Sequence, residues 1–290
     1  MKLDGRRESS NVDDRRRGGN VSKAGGLGLG GLIIVGIITW LMGGNPLEVL
    51  NNADTSAIFG DGTSYTEEYT PTAEEEELAR FSKQILAGTE DVWTAQFRKM
   101  GLEYEPPTLV LFSGAVNSGC GYASSQTGPF YCSGDQCVYI DLSFFSNMRQ
   151  ELGADGDFAY AYVIAHEVGH HVQYLLGTLN DAHSKMNQVS EPESNRISVR
   201  LELQADFYAG FWAYHDNKMF GSLEDGDIEE AIDAAQKIGD DYLQKKAQGY
   251  TVPESFNHGT SAQRMRWLKL GLTTGDFSKG DTFSPAYNQL

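Results

Sequence analysis

The sequence predicts an α+β fold in which a small sheet packs over a set of helices. Two short runs rich in β-branched and aromatic residues, 108–112 and 137–142, stand between turn-rich segments and predict strands. Apolar residues at helical spacing, together with capping residues, predict helices around them. The predicted helices cover 73–99, 157–176, 194–216, 227–247 and 260–271. This order of elements predicts one compact domain over 73–290, with the sheet above the helix at 157–176.

An apolar segment precedes the predicted domain. Residues 24–44 form a run of 21 residues without a charged side chain, which is about the length needed to cross a bilayer. Seven Lys or Arg and four Asp or Glu lie before the run, a net charge of +3, whereas sixteen and thirty-six lie after it, a net charge of −20. Because basic flanks stay in the cytoplasm, we predict a cytoplasmic basic tail over 1–23 and one transmembrane helix over 24–44. The domain is then expected outside the cytoplasm, in the periplasm or at the cell surface.

A cleaved signal peptide is the alternative interpretation of the apolar run. The charged segment before the run is long for a signal peptide and no A-x-A site follows it, so we favour an uncleaved anchor. Segment 45–72 is rich in small polar and acidic residues and predicts an acidic linker between the membrane and the domain. The formal net charge of −17 argues against nucleic acid as a partner. The sequence specifies no oligomeric state.

The predicted helix over 157–176 contains the pattern H-E-x-x-H. Its residues are His166, Glu167 and His170, and on a helix both imidazoles lie on one face and can bind a single metal ion. Glu167 lies beside the first ligand and can reach a water bound to that metal. Catalytic zinc sites combine three protein ligands with one water, so the pattern predicts metal-assisted hydrolysis if a third ligand exists. Two histidines placed by chance, for packing or at the surface, are the alternative.

The predicted helix over 194–216 offers the third ligand. Glu202 and Asp206 lie one turn apart on one face of it. We predict that Glu202 binds zinc and that Asp206 accepts the free ring N–H of His166, which fixes the tautomer of that ligand. A solvated acidic face is disfavoured because apolar residues such as Leu203 and Phe207 crowd the same stretch. The swapped assignment, with Asp206 on the metal and Glu202 behind it, stays open.

A loop histidine and an arginine complete the candidate site. His258 lies just before the predicted helix over 260–271, and a histidine or tyrosine near the metal could stabilise the oxyanion of a tetrahedral intermediate. An ordinary turn residue is the alternative for His258. Arg264 could pair with Asp206 or with another carboxylate of the site.

Three cysteines lie close together in a glycine-rich part of the sequence. Outside the cytoplasm a disulfide can persist, and we predict that Cys120 pairs with Cys132 and braces this stretch. Cys137 is then left over, either buried in its strand or available to another molecule.

These residues together predict a zinc-dependent peptidase that acts on a peptide or protein substrate. Zn²⁺ held by His166, His170 and Glu202 would activate a water, and Glu167 would act as the general base. The strand over 137–142 is our prediction for a sheet edge that aligns an extended peptide.

Two alternatives to a protein-cleaving peptidase remain open. The chain could be a membrane-tethered binding or scaffold protein with a non-catalytic zinc site, although such a site has no chemical need for Glu167. It could also hydrolyse the peptides of the cell wall, because the metal chemistry would be the same.

The motifs resemble those of known metallopeptidases. H-E-x-x-H, the run Glu202-Leu203-Gln204-Ala205-Asp206, and His258 with Arg264 six positions on resemble the gluzincins. The E-x-x-A-D form is similar to that of a membrane-bound group that includes the CAAX prenyl proteases. In that group proline follows the corresponding histidine, whereas Gly259 follows His258 here.

Nearly the whole chain resembles the bacterial family called putative neutral zinc metallopeptidases. The segments that carry this resemblance are 1–12, 128–132, 139–142, 166–171 and 258–261. The resemblance implies a single-span membrane protein with a zincin-like (minigluzincin) peptidase domain and a Zn²⁺ cofactor.

Overall fold

The computed structural model describes residues 1–16 and 70–290, and within them the predicted α+β class is confirmed. The helices of this part are α1 (Ala73–Lys99), α2 (Ser143–Asn147), α3 (Asp157–Leu175), α4 (Thr178–Met186), α5 (Glu191–Phe220), α6 (Asp227–Lys237), α7 (Asp240–Gln248) and α8 (Ser261–Thr274). Its strands are β1 (Val12–Asp14), β2 (Thr108–Phe112), β3 (Ala115–Ser118), β4 (Gly121–Ser124), β5 (Phe130–Cys132) and β6 (Cys137–Asp141).

Four of these strands form a mixed sheet in the order β1, β2, β6, β5. The first three run parallel, and β5 runs antiparallel to β6. Leu109 and Ile140 face the main core, whereas Val110 and Tyr139 face a second core under the separate β3–β4 ribbon. Strands covered on both faces have nearly continuous apolar sequences, which is why β2 and β6 could be predicted.

The strand predicted to align a substrate is not at the sheet edge. β6 is hydrogen-bonded to β2 on one side and to β5 on the other, so it cannot add a further strand. In the described part of the chain, β1 and β5 lie at the sheet edges. β5 lies against α3, with the Tyr131 hydroxyl 3.0 Å from Nδ1 of His171. The prediction that 137–142 forms a sheet edge is therefore wrong. The sequence did not reveal β5 as an edge strand because its three residues are too few to show a pattern.

Residues 1–16 belong to the fold of the domain. β1 pairs with β2, and Val12 lies opposite Leu109. The Arg6 guanidinium donates two hydrogen bonds, of 2.7 and 3.2 Å, to the Asp216 carboxylate of α5. Of the predicted basic tail over 1–23, residues 1–16 are thus attached to the domain by strand pairing and ion pairs.

The predicted transmembrane helix over 24–44 lies outside the described residues, as does nearly all of the predicted linker over 45–72. Within 1–16 and 70–290, the structure contains no helix that is long and apolar enough to span a bilayer.

One predicted helix is divided in two. The stretch predicted over 227–247 forms α6 and α7, with a break at Ile238 and Gly239. A Cβ at Gly239 would lie 2.3 Å from the backbone nitrogen of Ser261, so the chain passes tightly over the start of α8 at this point. The break places Asp240 at the start of α7, where its backbone N–H donates to the Gly259 carbonyl oxygen at 2.9 Å.

The main core lies between α1, α3, α5 and the sheet. Trp93 of α1 stacks on Phe211 of α5 with ring centroids 5.2 Å apart. Phe158 of α3 stacks on Trp212 of α5 at 6.4 Å. Large aromatic side chains dominate the energetics of such cores, so this packing fixes α5 alongside α3.

A disulfide joins Cys120 and Cys132, the pair predicted from the sequence, with their Cα atoms 5.8 Å apart. It connects the β3–β4 ribbon to β5. Cys137 is a free, partly buried thiol and lies opposite Cys132 in the β5–β6 pair.

Candidate metal centre

The candidate site lies where α3 and α5 approach each other closely. Gly169 of α3 faces Ala205 of α5, and a Cβ at Gly169 would lie 3.1 Å from the Ala205 Cα. The absence of a side chain lets the two helix backbones pack tightly. The two histidines of H-E-x-x-H therefore face the two carboxylates of E-x-x-A-D, each pair one turn apart on its own helix.

Three side chains converge on one point. Nε2 of His166 is 3.1 Å from Oε2 of Glu202, and Nε2 of His170 is 3.4 Å from Oε1 of the same carboxylate. The donor atoms of these residues lie within 4.8 Å of one another. Asp206 lies on the opposite side of the first ring, 2.8 Å from Nδ1 of His166. This geometry favours Glu202 over Asp206 as the metal ligand.

The donor set fits a zinc ion. Zinc–nitrogen bonds of about 2.0–2.1 Å in a tetrahedron require donor atoms about 3.3 Å apart. Each ring nitrogen lies near that spacing from one oxygen of Glu202, His166 at 3.1 Å from Oε2 and His170 at 3.4 Å from Oε1. Two imidazoles and one carboxylate are also a usual donor set for catalytic zinc. A zinc ion could therefore bind with little movement of these side chains.

Asp206 accepts several hydrogen bonds on the Nδ1 side of His166, away from the metal-donor atoms. Its carboxylate is fully buried and accepts hydrogen bonds from His166 at 2.8 Å and from the Tyr162 hydroxyl at 2.5 Å. Arg264 donates to it twice, from Nε and from a terminal nitrogen, each at 2.9 Å. A buried carboxylate is tolerated when it is paired and fully hydrogen-bonded. Arg264 thus pairs with Asp206, one of the carboxylates considered from the sequence.

The charges of the site are strongly coupled. Burial opposes protonation of His166, but the carboxylates of Asp206 and Glu202 outweigh it and raise its pKa to about 10. Burial also disfavours ionisation of Glu202, yet the two histidines hold the pKa of that carboxyl well below its ordinary value. A metal ion must displace protons from such ligands, so metal binding here releases protons. Burial raises the pKa of Glu167, the acidic residue between the two histidines.

His258, the loop histidine predicted to belong to the site, is oriented by Asp240. Its Nδ1 is 3.1 Å from one oxygen of the fully buried Asp240 carboxylate, and its backbone N–H donates to the other at 2.8 Å. The electrostatic influence of His258 is one of the lesser causes of the lowered pKa of Glu202. Gly259 has φ of +96°, a conformation that proline cannot adopt. This turn explains why glycine follows His258 in this chain.

Several residues of the site were not singled out from the sequence. Tyr162 precedes His166 by one helical turn, and Gln173 follows His170 by three residues, with its side-chain oxygen 2.9 Å from the His170 Nδ1. Helical spacing could have revealed both. Asp240 had no such signal, because it reaches His258 only through the break between α6 and α7.

Nearly the whole chain matches a family described as putative zinc peptidases. The family model described as putative neutral zinc metallopeptidase matches residues 1–283. A relative from Escherichia coli K12, the uncharacterized protein YpfJ, is 46% identical over 299 residues, covering 98% of this chain and 99% of that protein. A second, uncharacterized protein Rv2575 of Mycobacterium tuberculosis H37Rv, is 42% identical over 217 residues, covering 71% of this chain and 72% of that protein.

No solved structure matches the chain. The family match covers the metal-ligand candidates, Glu167 and the docked residues 1–16 alike. The chain therefore belongs to the putative neutral zinc metallopeptidase family.

Proposed function

We propose that the chain is a zinc-dependent peptidase that hydrolyses peptide bonds with Glu167 as the general base. The observation that carries this proposal is the convergence of His166, His170 and Glu202 on one point, next to the buried carboxylate of Glu167. Three protein ligands are the pattern of catalytic zinc sites, whereas structural sites use four.

Glu167 is suited to accept and return a proton. Zn²⁺, when bound, would polarise the scissile carbonyl and lower the pKa of water enough for attack near neutral pH. Glu167 would take the proton of the attacking water and pass it to the leaving amine. A general base is most effective when its pKa lies near the working pH, and burial moves the pKa of Glu167 upward, in that direction.

His258 is proposed to stabilise the oxyanion of the tetrahedral intermediate. Asp240 orients the ring through Nδ1. Donors fixed in place before the reaction stabilise developing charge without reorganisation. Asp240 would then act as a positioning residue through His258.

The proposal is tested by peptide cleavage with the purified full chain. We expect the zinc-loaded chain to cleave members of a defined peptide panel, a chelator to stop cleavage, and added zinc to restore it. Glu167→Gln should lower kcat by about 10²–10⁴-fold, the usual contribution of a general base, and should still bind zinc. Glu254→Gln, at an exposed glutamate outside the site, is the matched control and should cleave at the wild-type rate.

Two outcomes would contradict the proposal. Full activity of Glu167→Gln would remove Glu167 from the mechanism. Zinc binding without cleavage of any panel member would instead favour the non-catalytic scaffold considered from the sequence.

The role of His258 is tested in the same assay. His258→Gln should lower kcat by about 10²–10³-fold, the effect of losing one oxyanion donor, with zinc affinity and KM nearly unchanged. An equal loss of zinc affinity would show that His258 supports the fold of the metal site and does not act on the substrate.

A further inference from the structure

A chain of buried side-chain amides leads away from His170. Oε1 of Gln173 is 2.9 Å from Nδ1 of His170. Nε2 of Gln173 donates to the Leu201 carbonyl oxygen at 2.7 Å and to Oε1 of Gln204 at 3.1 Å. Nε2 of Gln204 in turn donates to the Gly280 carbonyl oxygen at 2.8 Å. Gln173 is fully buried and Gln204 is nearly so.

Two backbone carbonyls fix the orientation of the Gln173 and Gln204 side-chain amides. A carbonyl oxygen can only accept, so Gly280 requires the amino end of Gln204, and Leu201 requires the amino end of Gln173. The carbonyl end of Gln173 therefore faces His170. Nδ1 of His170 must then carry a proton, so Nε2 is the ring nitrogen that faces Glu202 and would bind the metal.

The two histidines thus have hydrogen-bond partners of different charge. His166 is held by the charged Asp206 carboxylate, which Arg264 balances. His170 is held by the neutral amide of Gln173. Partners of this kind fix the tautomer and ring orientation of a metal-binding histidine, and their loss costs about 10–100-fold in metal affinity.

We propose that Gln173 is a positioning residue for His170 as a zinc ligand, and that Gln204 acts through Gln173. This role rests on the proposed zinc site. The hydrogen-bonded amides also connect the site to the segment around Gly280, which is 76 residues from Gln204 in sequence.

The test is a zinc competition titration of the full chain against a chromophoric chelator. Gln173→Met keeps the length of the side chain and removes its acceptor, and we expect zinc affinity to fall about 10–100-fold. Gln204→Met should lower zinc affinity less than Gln173→Met does. The double variant should have nearly the same zinc affinity as Gln173→Met alone. Gln84→Met is the matched control, because Gln84 is also a buried amide bonded to backbone carbonyls, those of Leu3 and Arg6.

An NMR readout separates positioning from a general loss of stability. The zinc-loaded wild type should show a His170 Nδ1–H signal protected from solvent exchange, and Gln173→Met should lose it while keeping the wild-type fold. Zinc affinity of Gln173→Met within twofold of wild type would overturn the role. Failure of the wild-type chain to bind zinc would refute the proposed function itself.

Residues 1–16 support a second, independent inference because they are attached through buried charges. The carboxylate of Asp216 is almost fully buried and is paired with Arg6. Glu90 of α1, also buried, accepts hydrogen bonds from Ser9, Asn11 and Arg7. Removing one partner of a buried pair leaves an uncompensated charge and strongly destabilises the fold. These buried contacts therefore stabilise the attachment of residues 1–16 to the domain.

We infer that residues 1–16 and 70–290 lie on the same side of any membrane in the folded protein. A single crossing between them would place β1 and β2 in different compartments and leave Asp216 without Arg6. The expected arrangement of a cytoplasmic N-terminus and an external domain is incompatible with the β1–β2 pairing.

Single exposed cysteines test this topology in cells. Glu8→Cys reports on the N-terminal segment and Glu254→Cys on the domain, and both residues are exposed. With a membrane-impermeant maleimide on intact spheroplasts of a bacterial host, we expect both variants to react or both to be protected. The wild type gives the background of Cys137. Reaction of one variant in intact spheroplasts and of the other only after permeabilisation would overturn the inference.

Discussion

The metal centre and the N-terminal segment both depend on arginine–carboxylate pairs, but the pairs differ in burial. At the metal centre, Arg264 and Asp206 have side chains 5% and 0% exposed. In the N-terminal segment, the Arg7 side chain is 48% exposed and contacts Glu90 and Asp91. Water can replace the partner of an exposed charge and cannot replace the partner of a buried one. Loss of Arg264 should therefore cost more stability than loss of the exposed Arg7, whereas the Arg6–Asp216 pair, with side chains 12% and 1% exposed, lies closer to the metal-centre case.

The comparison also separates two kinds of sequence information. The metal centre is built from two helices whose active residues repeat at one-turn spacing, so local pattern reveals it. The N-terminal segment is attached by contacts to residues far away in sequence, and no local pattern reveals those.

Arginine removal should show the largest difference between the two regions. Arg264→Ala leaves Asp206 buried without its cation and should lower the free energy of unfolding by about 3–5 kcal/mol. Arg7→Ala should lower it by about 0–1 kcal/mol, the usual value for an exposed pair. Denaturant unfolding of both variants in the presence of a chelator measures the difference. Equal losses would mean that burial does not distinguish the two pairs.

Of the two neighbouring α1 carboxylates that bind the N-terminal segment, Glu90 should matter more than Asp91. Glu90→Ala removes the acceptor shared by Ser9 and Asn11 and should cost about 1–3 kcal/mol, the price of leaving buried polar groups unsatisfied. Hydrogen exchange of β1 should accelerate while zinc affinity stays unchanged. Asp91→Ala is the matched control, because Asp91 pairs with the exposed Arg7. Equal exchange rates in the two variants would contradict the central role of Glu90.

His171 extends the comparison to a buried side chain that is neutral because burial lowers its pKa. Its ring contacts the Tyr131 hydroxyl and the Glu105 carbonyl oxygen, and burial lowers its pKa to about 4. The unfolded chain, with a histidine pKa of about 6.5, binds the proton more readily. The stabilising effect is therefore complete above about pH 6.5 and is lost as the pH falls toward 4.

The difference between wild type and His171→Gln isolates this effect, since all other titrating groups are shared. From pH 7 to pH 5 the wild type should lose on the order of 1 kcal/mol more stability than the variant. Denaturant unfolding at the two pH values, in the presence of a chelator, measures it. An identical loss in both proteins would show that His171 does not titrate differently in the fold.

The sequence predicted the parts of the fold whose causes are local. The spacing of His166 and His170 placed both on one helical face, and the apolar runs of β2 and β6 reflect strands buried on both faces. The three-residue strands β1 and β5 were not predicted, because such short strands have no measurable period. The break at Gly239 was also missed, because it depends on the backbone of Ser261, which lies far along the chain.

The candidate site divides in the same way. Glu202 and Asp206 could be selected from helical spacing, but only the packing of Gly169 on Ala205 shows which of them faces the histidine Nε2 atoms. The pairing of Asp240 with His258 needed the tertiary structure.

Zinc K-edge X-ray absorption on the zinc-loaded full chain, with metal content measured in parallel, tests the central claim most directly. We expect one zinc per chain, bound by two imidazoles and by oxygen at about 2.0–2.2 Å with no sulfur ligand, and loss of that zinc in Glu202→Ala. A chain that takes up no zinc, or a zinc bound by the Cys137 sulfur and unaffected by Glu202→Ala, would contradict the account.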